Sequence, residues 1–238
     1  MRRLLLLLVL AVSGCEVSVP PFPGQGTDVK AKQQGQGLTG SQANAAFAAV
    51  VQSVEPVAER ECHNRTRGLN CDFLIRIDPN PKAPANAYQS LTRSGRPVIT
   101  FTRGMLADLS NRDELAFVMS HEAAHHIRGH LMRQQQNAIS GAIIFAGLAT
   151  AAGASVSDIA EAQDLGAMVG ARSYSKDFEL EADELGTIIT HKAGYRPSVG
   201  VKFFARLPDP GETFLGSHPS NYDRVRVVQA TIRKYNLN

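Results

Sequence analysis

The sequence predicts an α+β fold, mostly helical, with a small sheet of about three to five strands. Three observations lead there. Between Asn111 and Arg133 the chain reads as a helix whose apolar stripe is Leu115, Val118, Met119 and Ala123. Phe73, Ile75 and Ile77 alternate as a strand does, and Val98–Thr102 is a second strand-like run just ahead of that helix. Glu179-Leu-Glu-Ala-Asp183 then places acidic residues at helical spacing. At 238 residues, 43% apolar and 20% charged, the chain suits one domain with a real core. Lacking Trp, that core is built mainly from Leu, Val, Ile and Ala.

Residues 1–14 differ from the rest. Arg2-Arg3 followed by Leu4–Val12 reads as a secretion signal, too short to span a bilayer comfortably. Val12-Ser13-Gly14-Cys15 resembles a bacterial lipobox, whose cleavage leaves a lipid-carrying Cys15; a plain signal peptide cut nearby is the alternative. Two of the 25 basic residues, against 22 acidic, sit in this segment, so the remainder is within about one charge of neutrality. With no basic stripe interleaved with aromatics, nucleic acid is excluded as a partner. Residues 15–40, rich in Pro, Gly and Gln, read as a lipidated Cys and a flexible tether with a reach on the order of 25–30 Å.

The domain then occupies 41–238. Ser41 can cap a first helix running to about Arg60, burying Phe47, Val50, Val51 and Val54, with Pro56 as its candidate kink. Cys62 and Cys71 bracket a short polar loop. In an oxidising compartment such a pair favours a disulfide worth roughly 2–3 kcal/mol. Free thiols, or a weak metal site using His63, are the alternatives. The open edge of the 98–102 strand offers a place for an extended substrate to pair. Asn137–Ser157 is uncharged, with Ile143-Ile144-Phe145 among many Gly and Ala. Its length permits a membrane span. The helices flanking it must pack together, however, which favours Gly/Ala-rich helices close to the core, doubling as a lid or membrane-touching element.

The chemistry concentrates at His121-Glu122-Ala123-Ala124-His125, an H-E-x-x-H pattern preceded by the capping signal Ser110-Asn111-Arg112-Asp113. Residues four apart share a helix face, so both imidazoles can reach one metal ion. Two His and a carboxylate are a set with which zinc brings the pKa of a water to roughly 7, and Glu122 is close enough to act on that water. A buried structural helix that happens to carry two His is the plain alternative. The metzincin spacing fails, since Gly129 and His130 are each one place out of register. On a continuous helix His130 would lie about 140° from His125, outside the cluster. No acid occurs between Glu122 and Asp158, so a third ligand comes from Asp158, Glu161, Asp164, Glu179 or Glu181. Glu179 and Asp183 stand out: four apart, one can bind metal while the other hydrogen-bonds a ligand histidine, whereas Glu181 faces elsewhere.

At these residues the chain resembles the M48 family of gluzincin metallopeptidases. Asn86-Ala87-Tyr88, the run from Val98 to Leu106, the zinc helix from Asp113 to His125, the E-x-E-A-D-x-x-G block from Glu179 to Gly186, and His218-Pro219 with Arg224 all match its pattern. The likeness covers roughly 41–235, with Lys176 where the family often has Arg. It implies a zincin-like (gluzincin) helical domain with its sheet beside the zinc helix. It also implies His121, His125 and Glu179 as ligands to one zinc per chain, Glu122 as general base and Asp183 behind a ligand. His218 and Arg224 would lie near the metal, as oxyanion donors or, for His218, as a fourth ligand that latches the site. The implied activity is that of a periplasmic, lipid-anchored zinc endopeptidase acting on unfolded or misassembled envelope proteins. Glu16, not Asp, after the lipid Cys favours the outer membrane. The rival is a non-catalytic, chaperone-like or binding lipoprotein retaining a structural or latched zinc, which would have no need of Glu122.

Overall fold

A computed structural model describes residues 40–173, 175–207 and 220–237. Cys15 and the tether, Tyr174 and His218 lie outside the described residues. The elements in order are α1 (Gly40–Arg65), β1 (Leu74–Ile77), β2 (Ala87–Leu91), β3 (Pro97–Phe101), α2 (Arg103–Asp108), α3 (Arg112–Ile127), α4 (His130–Ala151), α5 (Val156–Ser173), α6 (Ser175–Lys192), α7 (Pro197–Gly200), a 3-10 turn at Val201–Arg206, and α8 (Asn221–Tyr235). The result is a mostly helical α+β fold with a three-stranded sheet.

Helix α3 is the hub, with α1, α6, α7 and the sheet packed around it. Residues 114–124 are all buried, so the expected apolar stripe is only part of a helix enclosed on every side. Its start is well specified. Asn111 caps it by accepting from the Glu114 amide at 3.0 Å, while the Glu114 carboxylate accepts from the Ser110 amide at 2.8 Å. Buried Glu114 is held by both arms of Arg206.

Helix α1 runs one turn past its expected end near Arg60. Its buried face continues from Val50 and Val54 to Ala58 and Cys62, and Glu61 pairs with Arg65 at 2.8 Å in the added turn. Pro56 lies within the helix, on its exposed side. Cys62 and Cys71 form a disulfide with Cα atoms 5.7 Å apart. The bond joins the end of α1 to the approach to β1.

The sheet order is β1-β3-β2, with β1 parallel and β2 antiparallel to β3. This corrects the expectation for the 98–102 run. Strand β3 is central and buried at every position, so it has no open edge. The edge beside α3 belongs to β2, where Tyr88 pairs with Thr100 and Ser90 with Val98.

The uncharged 137–157 stretch also departs from expectation. Helices α4 and α5 pack along each other and meet the rest of the chain mainly at their base. Three glycines make this possible. A methyl group at Gly141 or Gly166 would collide with the other residue's carbonyl oxygen, and one at Gly170 with that of Asn137. Ile139, Ile143, Ile144 and Leu148 remain exposed on α4. No described helix is long and apolar enough to cross a membrane.

Candidate metal centre

His121 and His125 project from one face of α3, and Glu179 reaches them from the first half of α6. The two Nε2 atoms are 3.0 Å apart. Glu179 Oε2 lies 3.4 Å from His121 Nε2, and its Oε1 lies 3.3 Å from His125 Nε2. Donors bound to a tetrahedral zinc at about 2.0–2.2 Å stand about 3.3–3.6 Å from one another, so this triangle fits such an ion with the histidine pair slightly drawn in. Among the described residues these three form the group able to hold a metal. Three protein donors leave one tetrahedral position for a water or substrate.

Close helix packing brings the carboxylate within reach. At Gly186 a Cβ would sit 3.0 Å from the His121 Cα and amide nitrogen, so α6 rests directly on the α3 backbone at the ligand. Any side chain there would push the two helices apart.

Each histidine is held from behind. His121 Nδ1 meets Asp183 Oδ1 at 2.9 Å. Asp183 is fully buried and gripped by Arg224, whose Nε and Nη2 donate to its two oxygens at 2.8 and 2.7 Å. The Arg224 guanidinium also lies 3.5 Å over the Phe204 ring. Burial would raise the Asp183 carboxyl, but Arg224 and His121 outweigh it and hold it below its ordinary range. For His121, burial and the Arg224 charge oppose protonation, yet hydrogen bonds to Asp183 and Glu179 prevail and push it up to about 9.

His125 is backed differently. Helix α3 stops at Ile127, and Gly129 turns the chain with a φ of 67° before α4 begins. That turn swings His130 back, so its Nδ1 comes within 2.8 Å of His125 Nδ1. The 140° separation expected of a continuous helix does not hold, because the helix is not continuous there. His130 stays outside the metal triangle, and its buried ring, opposed by His125, is hard to protonate, with a pKa pushed down to about 4. Glu181, on the other side of α6 from the triangle, pairs with His130 and Arg133.

Glu122 is buried at the wall of a cleft of about 630 Å³ that the three metal-facing residues also line. Burial raises its carboxyl above the ordinary range, against the lowering pull of His121 and His125. That direction suits a group that takes up a proton near neutral pH. Tyr88 and Gln89 of β2, with Phe178, Phe203 and Phe204, form other walls. Neither β2 nor the phenylalanines carry a spacing that marks them in the sequence; Asn86-Ala87-Tyr88 is the signal available for β2.

Comparison with known proteins agrees with this geometry. A family model described as peptidase family M48 matches residues 47–232. A protein of Vibrio cholerae serotype O1 named "Putative beta-barrel assembly-enhancing protease" is 29% identical over 148 residues, covering 56% of this chain. The chain spans only 30% of that relative's length.

Proposed function

Since the chain belongs to peptidase family M48, we propose that it is a zinc-dependent endopeptidase with a zincin-like fold, acting on unfolded or misassembled proteins of the bacterial envelope. The observation that carries this reading is the convergence of His121, His125 and Glu179 beside buried Glu122 in one cleft. A zinc ion there would supply a Lewis acid for the scissile carbonyl and acidify a water. Glu122 takes the proton of the attacking water on its carboxylate and passes it to the leaving amine. Asp183 orients His121, and Arg224 keeps Asp183 charged. With its Nε and Nη2 donated to Asp183, Arg224 is better suited to positioning than to oxyanion donation. For His218 the latch is favoured over the donor role.

The edge of β2 supports an extended substrate, because a peptide paired there would run along the cleft wall. The name of the Vibrio relative supports envelope proteins as substrates. The organisation proposed is a signal at 1–14, a lipid-bearing Cys15 with its tether to 40, and the peptidase domain beyond, held in the periplasm at the outer membrane.

Zinc content and degradation of a denatured reporter protein test the activity. Glu122→Gln should keep zinc and fold while losing about 10²–10⁴ in rate, since an amide cannot take the proton. Glu179→Ala should lose both metal and activity. Undiminished degradation by Glu122→Gln would sink the mechanism. For the anchor, Cys15→Ser should release the exported protein from membranes; retention after a high-salt wash would disprove lipid attachment as its hold.

A further inference from the structure

We propose that His130 is a positioning residue for the metal centre: it accepts the Nδ1 proton of His125 and, tied through Glu181 to Arg133, fixes the tautomer and aim of that ligand. The inference rests on the reading of His121, His125 and Glu179 as a zinc site. A neutral His125 offering Nε2 to a metal must carry its proton on Nδ1. The atom facing that proton, at 2.8 Å, is His130 Nδ1. It can accept only if His130 carries its own proton on Nε2, and there Glu181 Oε2 stands at 3.2 Å. The Glu181 carboxylate is in turn held by both arms of Arg133, at 2.7 and 3.1 Å. Every donor in the chain thus faces an acceptor in one direction only, from His125 to the carboxylate.

The ring is also fixed in space. His130 is buried and stacked flat on Phe178, with centroids 4.7 Å apart and planes 10° from parallel. Arg133 lies over the same phenylalanine at 4.3 Å. Phe178 immediately precedes Glu179, so the stack ties the start of α4 to the segment that delivers the third metal-facing residue. His130 is not itself a ligand in this arrangement, since its Nδ1 is turned to the back of His125. The two histidines of the triangle are therefore held by different means, His121 directly by a carboxylate and His125 through an interposed imidazole.

The test is zinc affinity by competition with a chromogenic chelator, the electronic spectrum of the cobalt(II)-substituted protein, and thermal melting of the metal-free protein. His130→Phe keeps a ring to stack on Phe178 but removes the acceptor. It should weaken zinc binding about 10–100-fold and shift the cobalt spectrum, with metal-free melting close to wild type. Glu181→Leu changes a partly exposed residue, so it carries the test if His130→Phe does not fold; it should weaken zinc binding in the same direction by less. Wild-type zinc affinity and cobalt spectrum in these variants, while Glu179→Ala has lost zinc, would overturn the role of His130 alone. A wild-type protein that takes up no zinc, or Glu179→Ala binding it normally, would overturn the metal site and this inference with it.

Discussion

Inside the domain Asp183 keeps its charge at zero exposure because Arg224 grips both of its oxygens. Either partner alone would be a buried charge without its main counter-ion. Arg224→Met should therefore cost the metal-free protein about 3–5 kcal/mol, a melting temperature lower by roughly 6–20 °C in a domain of this size. Adding Asp183→Asn should recover a large part of that loss. Losses that simply add in the double variant would show that the pair is not coupled. Residues of this kind were legible where local spacing decides the geometry. His121 and His125 share a face because helices repeat every 3.6 residues, and Glu179 and Asp183 do so for the same reason. The partnership of His130 with His125 was not legible, because it depends on a backbone turn at Gly129 that spacing rules for a continuous helix cannot represent.

Between elements, Glu61 links α1 to Lys192 at the end of α6 while also pairing with Arg65. Burial alone would raise the Glu61 carboxyl, but hydrogen bonds from Lys192 and Arg65 prevail and lower it. A carboxyl depressed in the folded state stabilises the protein above its ordinary range, and that stability is lost as pH falls through the depressed value. Glu61→Gln should thus cost about 1 kcal/mol at neutral pH and progressively less below pH 4, as read from melting curves across that range. A deficit that stays constant down to the acid end would rule the pair out as its source. Helix α3 and β1 were readable because their apolar residues follow a period, and β3 because it is a short β-branched, apolar run. Strand β2 was not: Ala87–Leu91 has little β-branched content, and its place is set by pairing with β3. For α4 and α5 the composition was equally compatible with burial in the core, since small residues permit close packing against any partner.

Across the whole molecule, the disulfide reaches further than its nine-residue separation suggests. His126, next to His125, sets its Nε2 at 2.7 Å from the Asn70 carbonyl inside the closed loop. Reduction should cost about 2–3 kcal/mol, seen as a lower melting temperature with reductant present, and the two thiols should resist labelling until then. Ready labelling of the native, unreduced protein would refute the crosslink. The pairing of α4 with α5 has a consequence of another kind. Where Gly141, Gly166 and Gly170 let main chains touch, direct atomic contact adds to the cohesion that expelling water provides. The contact part does not depend on water, which is why small residues at such seams also hold helices together in hydrocarbon. With Ile139 and Ile143 exposed on the side of α4 opposite its glycine seam, the hairpin can exchange water for an oily neighbour there while the seam stays closed.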